Sequence, residues 1–178
     1  MSYADPALTS SEFEAWETPP AVFAWAEDLF GTFDLDAAAS ESNHLCDEYL
    51  HEGGRSAFVN DWGREDALIW CNPPYGKQLP AWIDRIEQQL RDSYRRIVLL
   101  VPARTDTKWF RRAWQMSMRC IFISGRLKYR IGGEELDPAP FPSALMYLGS
   151  RYLSGTDPVC SVNPVPQRDQ PSLPLEDR

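Results

Sequence analysis

The sequence predicts an α/β fold in which helices pack on an open, mostly parallel sheet. Continuous apolar runs of strand length at residues 67–71 and 97–101 alternate with segments 79–90 and 106–118, whose apolar residues recur at helical spacing. The first run ends in a proline pair, Pro73-Pro74, which cannot continue a central strand. Such sheets bind their ligands beyond the carboxyl ends of the strands, so the turn that follows the first run is the first candidate site.

The other elements follow in chain order. Thr18 suits the N-cap of a helix with Pro19 at its first position, and Gly31 ends that helix. Residues 32–39 predict a short strand that runs into a turn of small residues, and residues 41–49 predict a second helix. Further strands are predicted at residues 119–124, 128–131 and 143–148, the last two forming an antiparallel end of the sheet around a Gly132-Gly133 turn.

Length and composition fit one compact domain. A chain of 178 residues with 43% hydrophobic residues can bury a full core, which excludes wholesale disorder. We expect a flexible leader at residues 1–15, a compact domain at 16–153, and a disordered tail at 154–178 with 5 of the 15 prolines. The apolar runs are too short for a membrane span, and residues 1–17 contain no secretory signal, so a cytoplasmic location is expected. The 4 cysteines and 2 histidines lack metal-ligand spacing, so no metal is expected.

The charge is distributed unevenly along the chain. The net charge of -8 alone argues against a polyanionic partner. Residues 1–90, however, hold 4 basic and 17 acidic residues, whereas residues 91–130 hold 11 basic and 2 acidic residues. A chain polarised in this way can present one positive face to a polyanion, and the local face decides the contact.

The tetrapeptide Asn72-Pro73-Pro74-Tyr75 carries the most specific chemistry. The proline pair fixes the backbone, so the Asn72 side-chain oxygen and the Pro73 carbonyl can serve as two rigid acceptors beside the Tyr75 ring. Such a cluster suits an amino group on a planar base, which offers two N–H donors and a face for stacking. Accepting both hydrogens frees the nitrogen lone pair for in-line attack on a methyl donor, and positioning supplies most of the catalysis. The alternative is a rigid turn without chemistry.

Further motifs surround this tetrapeptide in a fixed order. They are WETP at 16–19, FDLDAAAS at 33–40, WCNPPY at 70–75, LVPARTDT at 100–107 and SGRL at 124–127. With them, residues 16–150 resemble the phage-type (Dam-like) DNA N-6-adenine methyltransferases. The resemblance implies a Rossmann-like methyltransferase fold that transfers a methyl group from S-adenosylmethionine to adenine N6 in double-stranded DNA. It also implies a phage or prophage gene acting in a bacterial host, and Asn72, Pro73, Pro74 and Tyr75 as catalytic residues.

The resemblance also assigns residues to the cofactor. Thr18 and Pro19 are expected against its methionine end, Asp36 lies in the loop after the first strand, and Asp61 is a candidate acceptor for its adenine amino group. Asp61 is otherwise an ordinary turn residue. The loop at 36–40 contains no glycine, so its geometry must differ from the usual glycine-rich loop. The complete expected set is Trp16, Thr18, Pro19, Asp36, Ala37 and Asp61.

DNA contacts are expected at the same edge of the sheet. Adenine N6 lies out of reach inside a duplex, so the base must flip into the pocket while phosphate contacts hold the DNA. Without a separate recognition domain, short sequence specificity must come from loops such as 125–142. Two alternatives remain open: methylation of cytosine N4 or protein glutamine, and a DNA-binding module without cofactor. The expected DNA-binding residues are Lys77, Arg104, Arg126, Lys128 and Arg130.

Overall fold

The computed structural model describes residues 16–91, 93–149 and 158–164. Within these residues the helices are α1 (Pro20–Phe30), α2 (Leu79–Leu90) and α3 (Lys108–Met116). The strands are β1 (Leu35–Asp36), β2 (Leu68–Cys71), β3 (Arg96–Pro102), β4 (Ser117–Ser124), β5 (Arg130–Ile131), β6 (Glu134–Glu135), β7 (Ser143–Gly149) and β8 (Val159–Pro164).

Six strands form one mixed sheet in the order β1-β2-β3-β7-β4-β8. Strands β1, β2 and β3 are parallel, β7 is antiparallel to both β3 and β4, and β8 is parallel to β4. Five strands therefore share one direction, which confirms the predicted mostly parallel, Rossmann-like α/β fold. The antiparallel strand lies inside the sheet and not at its end, because the apolar strand β7 is buried and pairs on both sides. Strands β5 and β6 form a separate hairpin.

The two faces of the sheet support two apolar layers. Alternate residues of β2 point to opposite faces: Ile69 packs in the cluster that contains α2 and α3, whereas Trp70 packs in the cluster that contains α1. Helix α2 buries one stripe at helical spacing, and α3 begins at Thr107, whose side chain accepts a hydrogen bond from the Phe110 N–H. This three-layer arrangement fixes the carboxyl ends of β1, β2 and β3 at one edge.

Residues 41–49 form no helix, contrary to the sequence prediction. The Asp36 carboxylate accepts hydrogen bonds from the backbone N–H groups of Ala38 and Leu45, and the backbone of Leu50 bonds to that of Asp36. These bonds fold the segment into a compact loop, and the backbone groups that a helix needs are used elsewhere.

The ends of the chain divide into described and undescribed parts. Val159–Pro164 pair with β4, so the expectation of a disordered tail is wrong for these residues, where pairing along a sheet edge outweighs the proline-rich composition. Residues 154–157 and 165–178, and the leader at 1–15, lie outside the described residues. No helix among the described residues is long and apolar enough to cross a membrane.

Candidate active site

A cavity of about 330 Å³ opens at the carboxyl edge of the sheet. Asn72 follows β2 directly and borders this cavity together with Pro74, and the Ala37–Ala39 segment that follows β1 forms a second wall. The predicted turn therefore lies beyond a strand end beside a real cavity. The remaining wall residues are Trp16, Glu17, Ser40, Glu41, Asn43, Leu50, His51, Glu52, Gly53, Ser56, Ala57, Phe58 and Trp82.

The Asn72 side chain is held by three hydrogen bonds. Its Nδ2 donates to the Trp16 carbonyl at 2.7 Å and to Thr18 Oγ1 at 3.0 Å, and its Oδ1 accepts from the Tyr75 hydroxyl at 2.6 Å. A backbone carbonyl only accepts, so these contacts fix which end of the amide is nitrogen. The amide is oriented before any ligand arrives, and one lone pair of its oxygen remains for a further donor.

Tyr75 lies in the core and is not among the residues that line the cavity, so the stacking role expected from the sequence stays a prediction. The residue is 8% exposed, and its ring packs edge-on against Tyr129 and Phe141, with ring centroids 5.9 and 5.7 Å away. Burial, followed by the neighbouring Tyr129, raises the pKa of Tyr75 well above its ordinary value, so the hydroxyl stays protonated and donates to Asn72.

The residues of the WETP motif at 16–19 differ in their position relative to the cavity. Trp16 lines the cavity, whereas Thr18 is buried and its hydroxyl accepts a hydrogen bond from Asn72. Helix α1 begins one residue later than predicted, with Pro19 at the N-cap position, because the Pro19 carbonyl accepts the first helical hydrogen bonds, from the N–H groups of Val22 and Phe23. Neither Thr18 nor Pro19 is among the cavity wall residues.

The two predicted cofactor carboxylates lie away from the cavity wall. Asp36 is buried at the end of β1, and burial raises its pKa from 3.8 to about 6, while the N–H groups of Ala38 and Leu45 offset part of that shift. Its neighbour Ala37 does line the cavity. Asp61 binds Arg95 at 2.8 Å near the start of β3, at the opposite edge of the sheet, so the structure does not bring it to the site.

Sequence reasoning missed most of the loop residues that line the cavity. Glu17 is anchored because its carboxylate accepts hydrogen bonds from the backbone N–H groups of Gly132 and Gly133 at 2.8 and 3.0 Å. Both glycines have positive φ, as a two-residue hairpin turn of this type requires. The acidic and small polar residues around Gly53-Gly54 could have indicated a ligand-binding loop. The helix predicted at 41–49 led instead to an interpretation of this pair as a helix end.

Three of the predicted DNA-contact residues follow strand ends at this edge. Lys77, Arg104 and Arg126 come shortly after β2, β3 and β4, they are exposed, and no acidic partner is found for them among the described residues. Lys128 pairs with Glu135 at 2.9 Å, and Arg130 donates to the Gly133 carbonyl within the hairpin. Two further exposed cations, Lys108 and Arg111, lie at the start of α3 and were not among the predicted DNA-binding residues.

The basic segment at 91–130 does not form one face. Arg95 is 7% exposed and lies at the amino-terminal edge of the sheet, where Arg91 and Arg96 also lie. Arg112 is paired with Asp84 and Glu87 of α2. The positive surface at the carboxyl edge is therefore smaller than the count along the sequence implies.

The fold is a Rossmann-like methyltransferase architecture, and the Asn72-Pro73-Pro74-Tyr75 tetrapeptide follows the end of β2. Residues 7–145 match the family model described as DNA N-6-adenine-methyltransferase (Dam), and the chain belongs to this family. A protein named DNA N-6-adenine-methyltransferase from Escherichia phage T1 is 34% identical over 122 residues, which cover 68% of this chain and 50% of that protein.

A second relative carries the same name. The protein from Haemophilus phage HP1 (strain HP1c1) is 29% identical over 140 residues, which cover 76% of this chain and 79% of the relative. The chain thus spans about half the length of the phage T1 protein. Among the described residues, no group of three or more His, Cys, Asp or Glu side chains could hold a metal ion.

Proposed function

We propose that this protein transfers a methyl group from S-adenosylmethionine to the exocyclic N6 amino group of adenine in DNA. The observation that carries the proposal is the Asn72 amide, which borders the cavity and is held by Trp16, Thr18 and Tyr75. The family relationship and the names of the two phage relatives support the choice of adenine N6.

The cavity fits the cofactor. Its volume of about 330 Å³ is within the range of small-molecule sites, and the small side chains of Ala37–Ala39 let a ligand approach the backbone. Phe58 and Trp82 form an edge-to-face pair at the wall, which suits an adenine ring. The buried indole N–H of Trp82 has no hydrogen-bond partner among the described residues, so a donor is left for a ligand acceptor.

Acidic wall residues complete the binding set. Glu17, Glu41 and Glu52 can accept hydrogen bonds from the ammonium and hydroxyl groups of the cofactor. Asp61 is not part of this proposal, and Asp36 acts by shaping the loop that carries Ala37. When bound, S-adenosylmethionine supplies a methyl group on a positively charged sulfur.

The protein's contribution to the reaction is positioning. The free lone pair of Asn72 Oδ1 and the Pro73 carbonyl accept the two amino hydrogens of a flipped adenine, which directs the nitrogen lone pair outward. Since the amide is already fixed, little conformational entropy is lost when the base binds. Trp16 and Pro74 line the cavity beside Asn72.

The exposed cations hold the DNA during flipping. The proposal assigns phosphate contacts to Lys77, Arg104 and Arg126, which are exposed after strand ends at this edge, and Lys108 and Arg111 extend the same surface. The hairpin β5–β6 is tied to Glu17 at the cavity, so base contacts from the 125–142 loop are coupled to the site.

The test uses S-adenosylmethionine labelled on its methyl group and unmethylated duplex DNA, followed by digestion to nucleosides. We expect label in N6-methyladenine, and we expect Asn72→Ala to lower the rate by about 100-fold or more because the positioned acceptor is lost. Gln115→Ala, an exposed change on α3, is the control and keeps full activity.

Other outcomes identify the alternatives. Label in N4-methylcytosine or only in protein glutamine would replace adenine as the substrate. DNA binding without cofactor binding, measured by calorimetry at millimolar S-adenosylmethionine, would leave a non-catalytic DNA-binding module.

A further inference from the structure

A chain of three buried hydroxyl groups runs from the core to Asn72. The Tyr75 hydroxyl oxygen lies 2.6 Å from Asn72 Oδ1 and 3.1 Å from the Tyr129 hydroxyl, which lies 3.0 Å from Ser143 Oγ. Tyr129 and Ser143 are 0% and 1% exposed, so water does not compete for these bonds. Ser143 begins β7, and Tyr129 precedes the hairpin, so the chain links the sheet to the site.

The direction of the hydrogen bonds follows from the amide oxygen at one end. Asn72 Oδ1 can only accept, so the single hydrogen of Tyr75 is committed to it. The Tyr75 oxygen then accepts from Tyr129, and the Tyr129 oxygen accepts from Ser143. The Leu100 carbonyl is a weaker competitor for the Tyr75 hydrogen, at 3.4 Å.

The Tyr129 hydroxyl has no role in cavity formation. Tyr129 is not a wall residue, and its ring packs against Trp16 with centroids 4.8 Å apart. Phenylalanine would preserve that packing and remove only the hydrogen bonds. The Tyr75 oxygen would then accept no hydrogen bond from Tyr129, and the bond that Tyr75 donates to Asn72 would weaken because linked hydrogen bonds polarise one another.

We propose that Tyr129, supported by Ser143, is a positioning residue for methyl transfer, acting through the Tyr75 hydroxyl on the Asn72 amide. This inference rests on the proposed function. It predicts that the Tyr129 hydroxyl affects the chemical step and not the binding of DNA or cofactor, because no group that lines the cavity is changed.

The first experiment measures single-turnover methylation and binding for Tyr129→Phe. The rate of the chemical step is expected to fall about tenfold, with Kd values for DNA and S-adenosylmethionine within about twofold of wild type, since misplacement of a catalytic group lowers rate without removing contacts. Tyr147→Phe is the matched control, because Tyr147 stacks on Phe30 on the sheet away from Asn72. An unchanged rate, or a change in Kd alone, would overturn the proposal.

A double-mutant cycle tests whether Tyr129 acts through Tyr75. In a Tyr75→Phe background, Tyr129→Phe is expected to cause no further loss of rate. If the second substitution lowers the rate by the same factor in both backgrounds, the two residues act independently and the proposal is wrong. Ser143→Ala is expected to act in the same direction as Tyr129→Phe with a smaller loss.

A stability cycle separates this inference from the proposed function. The shifts in urea midpoint for Tyr75→Phe and Tyr129→Phe should be less than additive in the double variant, whether or not the protein methylates DNA. Non-additive midpoints without any methylation by the wild-type protein would reject the proposed function and keep the hydrogen-bond chain. Additive midpoints would reject the chain itself.

Discussion

The two edges of the central sheet use arginine in opposite ways. At the amino-terminal edge, Arg95 is buried and donates to the carboxylate of Asp61 and to the backbone carbonyls of Arg64, Gly63 and Gln89. At the carboxyl edge, Arg104 is exposed and has no acidic partner among the described residues. A buried arginine that makes four hydrogen bonds with its five donors stabilises the protein, whereas an exposed arginine with free donors can bind a ligand. Position along the sequence does not distinguish them, since both belong to the basic segment.

Arg95→Ala should produce the largest effect on stability. Removal of this buried, hydrogen-bonded guanidinium is expected to lower the free energy of unfolding by about 4 kcal/mol, because three backbone carbonyls and a carboxylate lose their donor. Urea denaturation measures the change.

Arg104→Ala is the matched control at the other edge. It should leave the free energy of unfolding within about 0.5 kcal/mol of wild type, as is usual for exposed positions. If Arg95→Ala were equally silent, the contrast between the two edges would be wrong.

The buried carboxylate of Asp36 at the carboxyl edge has an effect on stability opposite to that of Arg95. The pKa of Asp36 is raised from 3.8 to about 6 by burial, so between these values the folded protein holds a proton that the unfolded chain has lost. Stability therefore falls as pH rises through this interval, by about 3 kcal/mol from this group alone. Arg95 stabilises the amino-terminal edge, while ionised Asp36 costs stability at the edge that carries the site.

Asp36→Asn isolates this contribution because asparagine does not titrate. As the pH rises from about 4 to about 6, the free energy of unfolding of wild type should fall relative to that of Asp36→Asn. Above about pH 7 the difference between the two proteins should stay constant. Urea titrations at several pH values measure it. If the difference in unfolding free energy does not change with pH, then folding does not raise the pKa of Asp36.

The sequence was sufficient for features set by local pattern. Apolar runs and the proline pair placed β2, β3 and the turn at Asn72 correctly, and the parallel order of strands placed Lys77 and Arg104 at one edge. These inferences depend only on residues close in the chain and on sheet geometry.

Features set by distant partners could not be predicted. Asp61 is held by Arg95, which is 34 residues away, and Tyr75 is turned into the core by Tyr129, which is 54 residues away. The helix expected at 41–49 failed because the Asp36 carboxylate captures a backbone N–H group nine residues later. Each of these three placements depends on a polar side chain whose partner is set by the folded structure.

The smallest expected effect per residue concerns DNA affinity at the carboxyl edge. A triple variant of Lys77, Arg104 and Arg126 to alanine should reduce the slope of log affinity against log salt by about 2.7, since each lost phosphate contact contributes about 0.9. A triple alanine variant of Arg64, Arg91 and Arg96 removes the same charge from the amino-terminal edge and should change the slope by much less. Fluorescence anisotropy over a series of salt concentrations compares the two. Equal slopes for both variants would mean that DNA affinity depends on overall charge. Lys77, Arg104 and Arg126 would then have no special part in binding.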